Sequence, residues 1–435
     1  MKVEKVTLKN FRGYKNETTI EFDDLTVFVG KNDFGKSSVL EALDIFFNTK
    51  DAFAKMSKED LNKKALEEGE NEILIGVTFS DLPESIVIDA SNETTLVDEY
   101  LLNSEGKLEI IKKYINGGSE KVFIKASHPN NTNTKDLLQK KQRDLQAIVN
   151  NNSIECTNRT INAELRKSIW NHFNNDLGLE EILIDANKIS EKDLWEKIKN
   201  YMPLYALFQS DRKNSDGDSE VQDPMKLAVK EILSDADIVH KFNEIAETVE
   251  RKLTEVADTT LDKLREMNPD IANQLTPIIP SSDTLKWVDV FKNVSISSDD
   301  DISFNKRGSG VKRLILLNFF RAEAERRKSE RNVPDVIYAI EEPETSQHPD
   351  HQKKLIQAFI ELANSDNSQI ILTTHSPSVV KELDFNNLRL LEKEETVNIR
   401  NIEPQALSFP SLNEINFIAF EVVPEEYHSE LFEKI

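Results

Sequence analysis

One short segment limits the fold of this chain more than any other. Residues 25–47 read LTVFVGKNDFGKSSVLEALDIFF. An apolar run comes first, then a glycine-bounded loop. Val39, Leu40, Leu43, Phe46 and Phe47 follow with the spacing of one helix face. The loop Gly30-Lys31-Asn32-Asp33-Phe34-Gly35-Lys36-Ser37 fits GxxxxGK[ST] without deviation. Its glycines let the backbone wrap so that successive N–H groups meet one anion, and the helix opening at Ser37-Ser38 adds its positive end. Lys36 is placed to reach the β- and γ-phosphates of a nucleotide, and the Ser37 hydroxyl to ligate Mg²⁺. The competing reading is a strand-to-helix turn that binds nothing. ATP and Mg²⁺ are the expected ligands.

A nucleotide hydrolase also needs carboxylates near the γ-phosphate. Val336-Ile337-Tyr338-Ala339-Ile340 reads as a buried strand and ends in Glu341-Glu342-Pro343-Glu344. We expect Glu341 to hold the metal and Glu342 to orient or deprotonate the attacking water; the plain alternative is a solvated acidic turn. The next strand, Ile370 to Thr374, runs into His375, which is positioned to donate to a γ-phosphate oxygen. Lys36, Glu342 and His375 are therefore the expected catalytic group.

The 435 residues carry 55 Lys and Arg against 78 Asp and Glu, a net charge of −23. That excludes a chain that coats nucleic acid over its whole surface. DNA contact, if made, falls to local basic groups: Lys140, Lys141, Arg143, Arg326, Arg327, Lys328 and Arg331. The single cysteine, Cys156, rules out an intrachain disulfide. No run of apolar residues is long enough to span a membrane, and the N-terminus alternates like a strand rather than a signal peptide. A cytoplasmic protein without a membrane partner is expected.

Four regions follow from the pattern. Residues 1–126 form strands and the phosphate loop; β-like runs occur at EILIGVTFSD, TLVDEYLLN, KLEIIKKYI and KVFIKA. Residues 127–275 are read as helical, with Trp170 and Trp195 as anchors and a long charged arm at 224–267 broken near Ser234-Asp235. Residues 276–395 alternate helix and strand as in a parallel sheet. Residues 396–435 form a tail suited to partner docking.

These motifs resemble, in residues and order, an ABC-type ATPase of the SMC, RecF and Rad50 group, and within it most the overcoming-lysogenization-defect (OLD) family. The carriers are KNFRGYKNETTIEF and VGKNDFGKSSVLEALDIFF at the start, KRGSGVKRLILLNFFRAEAE at 306–325, IEEPETSQHP at 340–349 and LTTHSPSVV at 372–380. The resemblance implies an α/β P-loop head, a mixed β-sheet with helices and an inserted helical arm. It implies a signature motif at Arg307 to Lys312, in which Ser309 and Gly310 meet the γ-phosphate bound by a second head, and hence a homodimer or higher homo-oligomer. It implies that Gln209 senses Mg²⁺, with Asp211 and Arg212 beside it as the alternative members of the site, and that Ser346 to Pro349 contacts the opposite head.

Many OLD-family proteins carry a Toprim nuclease domain. The 60 residues after His375 contain no Asp-x-Asp, so no nuclease site is expected in this chain. ATPase chains of that kind resemble those of bacterial anti-phage systems such as Septu and PARIS, in which a separate nuclease or toxin is the effector. The alternatives are a RecF- or Rad50-like ATP-dependent DNA-processing protein, the ATPase part of an OLD-type endonuclease, or an ATP-gated scaffold with negligible turnover.

Overall fold

The computed structural model describes residues 1–30, 35–49, 52–89, 92–186, 194–209, 224–267, 318–320, 322, 335–345, 349–365, 367–393, 396–402, 411–420 and 425–433. The chain divides into two units, Met1–Lys213 with Arg313–Lys328 and Asp335–Ile435, and Asn214–Lys312 with Ser329–Pro334.

The first unit is built on two six-stranded sheets. One is antiparallel, in the order β2 (Thr18–Glu21), β1 (Lys2–Lys9), β4 (Glu72–Ser80), β7 (Leu108–Ile115), β8 (Glu120–Pro129) and β9 (Leu179–Asp185). Val3, Val6 and Leu8 of β1 are buried while their neighbours are partly exposed, the alternation of a sheet covered on one face. A separate ribbon pairs β5 (Ile86–Asp89) with β6 (Asn92–Thr94).

The other sheet runs β10 (Leu204–Phe208), β11 (Val336–Glu341), β12 (Ser368–Thr374), β3 (Leu25–Val29), β13 (Leu388–Lys393) and β14 (Val397–Asn401). The first five are parallel, and β14 is antiparallel to β13. Every residue of β3 and β12 is buried, as expected for strands covered on both faces. Burying each large apolar side chain contributes roughly 1.5–3 kcal/mol. Helix α1 (Lys36–Asn48) buries Val39, Leu40, Leu43 and Phe46, the face expected from its spacing. Phe320 is buried, and its ring meets Phe208, Tyr338 and Phe359 with centroids 5.2, 5.6 and 5.0 Å away.

The mixed α/β class is as expected; two local readings are not. TLVDEYLLN forms a turn after β6 rather than a strand. Glu99 points inward and takes a two-pronged bond from Arg166, 2.7 Å on each side, with both side chains almost wholly buried. Residues 161–200 are not all helical: helix α4 (Asn162–His172) is followed by β9, the edge of the antiparallel sheet. Glu180 and Glu181 put charge on that edge, which protects it from further pairing. Trp170 and Trp195 are both buried. Lys141 and Arg143 are exposed at the start of α3 (Gln142–Asn151).

In the second unit the described residues form α6 (Pro224–Ile232) and α7 (Ala236–Met267), with the break where Ser234-Asp235 stands. Ile245, Val249 and Leu253 form an exposed apolar row along α7. No helix among the described residues is long and apolar enough to cross a membrane.

Candidate active site

Register places the chemistry at one end of the parallel sheet. Phe208 pairs with Ile340, Glu341 with Thr373 and Thr374 with Val29. Gln209, Glu341, Glu342, His375 and Gly30 thus all leave the C-terminal ends of neighbouring strands, where α/β sheets bind their ligands.

Gly30 has φ 145° and faces β13 so closely that a Cβ would stand 2.7 Å from the Leu391 carbonyl oxygen. A side chain is excluded there by both backbone and space. Gly35, at φ 88°, caps α1. Its carbonyl accepts a 3.1 Å bond from the Tyr14 hydroxyl. Burial pushes the Tyr14 hydroxyl well up, so it stays a donor. Lys36 is buried, and its ammonium donates to the Gly30 carbonyl at 2.7 Å. Ser37 donates to Glu341 Oε1. Ser38 lies half-buried in the same turn. Lys31, Asn32, Asp33 and Phe34 lie outside the described residues, as do Asp211, Arg212, Ser346 to His348 and the signature stretch with Ser309 and Gly310.

Glu342 turns sharply out of β11. Its φ of 43° is left-handed, a conformation that costs a non-glycine residue about 1–3 kcal/mol. Its N–H donates to the Thr373 carbonyl at 3.0 Å and to the Thr373 hydroxyl at 3.2 Å. The turn brings Glu342 Oε1 to 3.2 Å from His375 Nδ1. Gln209 follows β10 and donates from Nε2 to Glu41 Oε1 at 3.5 Å. Its Oε1 is buried and has no hydrogen-bond partner among the described residues.

The structure also brings in residues to which the sequence reading gave no role. Glu41 lies one turn after Ser37 on the same face of α1 and pairs with Arg12 at 2.5 Å. Arg12 also bonds Asp60 at 2.8 Å. Burial opposes its charge, but Glu41 and Asp60 outweigh that and hold its pKa up. Arg12 and Tyr14 belong to the NFRGY turn, and the i to i+4 spacing of Ser37 and Glu41 was the available signal for Glu41. Glu344 is the third: its side chain is 5% exposed, buried against Thr374 and His375. Burial raises its pKa, partly offset by those donors.

Mg²⁺ is a hard cation that takes oxygen ligands and relies on substrate phosphates for several of them. The Ser37 hydroxyl, the Glu341 carboxylate and the orphaned Gln209 Oε1 are all oxygen donors and fit it. Among the described residues no three His, Cys, Asp or Glu side chains gather as a self-sufficient metal cage. A bound Mg²⁺ would neutralise charge on the phosphates. Beside these oxygens stand the Glu342 carboxylate and the His375 imidazole.

A phosphate loop after one parallel strand and an acidic end on a nearby strand of the same sheet define a P-loop ATPase. The chain belongs to the AAA ATPase domain family, whose sequence profile matches residues 1–380. It is similar to the OLD nuclease of Thermus scotoductus, 36% identical over 97 residues; the match covers 22% of this chain and 17% of that protein's length. Among solved structures it is similar to the SMC head domain from Thermotoga maritima, at 13% identity and TM-score 0.36, covering 93% of this chain and 100% of that one. It is also similar to a Pyrococcus furiosus Smc head with an extended coiled coil bound to the C-terminal domain of ScpA, at 12% identity and TM-score 0.45, covering 92% and 96%. The chain is therefore an ATPase of that family.

Proposed function

We propose that this ATPase works as an ATP-driven dimeric switch that governs a separate effector, a nuclease or toxin, in bacterial anti-phage defence. The observation that supports the reading is the junction of Ser37 with Glu341 beside the Glu342–His375 pair, a hydroxyl of the loop motif next to strand-end carboxylates and an imidazole. In this reading Lys36 and the loop from Gly30 to Ser38 hold the phosphates. Ser37, Glu341 and Gln209 hold Mg²⁺, Glu342 activates water, and His375 meets the γ-phosphate. Ser309 and Gly310 complete the pocket of a second copy. The arm at 224–267 or the tail at 396–435 carries the change to the effector.

Glu342→Gln keeps the loop and removes the base. With ATP and Mg²⁺ it accumulates as dimers of the 49.8 kDa chain and turns over about 10²-fold more slowly or worse. A monomer with ATP bound, measured by sedimentation, removes the switch; full turnover removes Glu342 as the base.

The similarity to an OLD nuclease favours a second reading, in which this chain is the ATPase part of an OLD-type endonuclease. A native polypeptide longer than this chain, found by mass measurement of the protein purified from its host and cleaving plasmid DNA with Mg²⁺ or Mn²⁺, selects that reading over a separate effector.

A further inference from the structure

We propose that Glu344 is the residue that positions His375, holding the imidazole while Glu342 turns to water. The inference rests on the hydrolytic reading of the site and assigns it a further member.

Glu344 Oε1 is fastened to the end of β12 from two directions. It accepts from the Thr374 hydroxyl at 2.8 Å and from the His375 backbone N–H at 3.2 Å. The same oxygen stands 3.6 Å from His375 Nδ1. The Glu344 backbone is held as well, since Gln352 Nε2 donates to its carbonyl at 3.2 Å. One ring nitrogen therefore faces two carboxylates, Glu342 at 3.2 Å and Glu344 at 3.6 Å.

The two carboxylates differ in freedom. Glu342 is 27% exposed and sits on a strained turn; Glu344 is 5% exposed. A base must move toward water, and an anchor must not. Glu344 Oε2 is buried and has no hydrogen-bond partner among the described residues, so Oε1 alone ties the side chain to the end of β12. A ring shift of about half an ångström brings Nδ1 from contact into hydrogen-bond range of Glu344. A histidine nitrogen facing carboxylates carries the proton, which fixes the tautomer and the ring's aim. Nε2, on the other side of the ring, is then the atom presented to the nucleotide. Glu344 acts through His375 and touches no reacting atom.

The test uses the full chain with ¹⁵N-labelled imidazoles, His375 being assigned among the seven histidines by its loss in His375→Ala. Glu344→Gln keeps an acceptor for Thr374 and for the His375 N–H but removes the charge. In the parent and in Glu342→Gln, His375 is protonated on Nδ1. In Glu344→Gln that preference is lost, and kcat falls about tenfold while KM for ATP is unchanged. Thr374→Val, which removes one anchor of the carboxylate, shifts both readouts the same way and serves if Glu344→Gln does not fold. If either the tautomer or kcat stays at the parental value, the proposal is overturned. Parental turnover in Glu342→Gln instead overturns the underlying site; loss there with a silent Glu344→Gln removes only this inference.

Discussion

The Ser37 hydroxyl donates to the Glu341 carboxylate across a sequence separation of 304 residues. Two parallel strands, β3 and β11, reach this point with only β12 between them, so the first turn of α1 faces the end of β11. A hydroxyl and a carboxylate joined in this way are two oxygens of the kind a hard cation takes. Lys36, one residue earlier, is satisfied by the Gly30 carbonyl at 2.7 Å, which keeps a buried ammonium paired without phosphate.

Removing that ammonium tests the phosphate loop directly. Lys36→Ala deletes a charge-assisted donor worth about 1.5–3 kcal/mol, so ATP affinity falls roughly 10- to 100-fold or more. Titration calorimetry reads the loss, and circular dichroism confirms the fold. Unchanged affinity would mean that the phosphates are held elsewhere.

The metal site gives a separate prediction. Glu41 accepts from Gln209 Nε2 at 3.5 Å, so the amide turns its unpartnered Oε1 the other way. Gln209→Ala removes that oxygen; Glu41→Ala leaves it in place but removes what orients it, together with the Arg12 ion pair. Each weakens Mn²⁺ binding to the ATP-loaded protein about tenfold, read by electron paramagnetic resonance of free Mn²⁺. Metal-free ATP affinity stays at the parental level in Gln209→Ala. Parental Mn²⁺ affinity in both variants would remove Gln209 from the metal's surroundings.

How much of this could be read from the chain depends on how local each signal is. The phosphate loop and the acidic strand end are contiguous motifs, each a strand followed by its functional residues, so Ser37, Glu341, Glu342 and His375 could be named before their contacts were known. Sheet register then brings them together without further information. Glu41, Arg12 and Glu344 are different. Each is an ordinary charged residue in a chain that is 31% charged; apart from the spacing of Glu41 from Ser37, only packing separates them from their solvated neighbours. The misread turn at 95–103 has the same cause. Glu99 looks like a surface residue until Arg166, 67 residues away, is folded against it. Breaking such a buried pair costs about 3–5 kcal/mol, yet no local pattern announces it.

A last prediction concerns the fold rather than the site. His128, on β8, is 3% exposed and packs edge-on against Trp170 at 5.8 Å between ring centroids. Its Nδ1–H donates to the Tyr100 carbonyl at 2.9 Å. Burial lowers its pKa below the usual 6.5, with the Tyr100 bond and Asp136 offsetting part of the shift. Between the folded and unfolded pKa values the unfolded chain binds more protons, so stability rises with pH there and is lost as the pH falls below 6.5. The loss reaches up to about 1.4 kcal/mol per pH unit within that window. His128→Asn keeps a donor for Tyr100 but cannot take up the proton. Its melting temperature therefore falls less than the parent's between about pH 7 and pH 5, measured by calorimetry. Equal slopes in the two proteins would show that His128 does not set the acid sensitivity of this sheet.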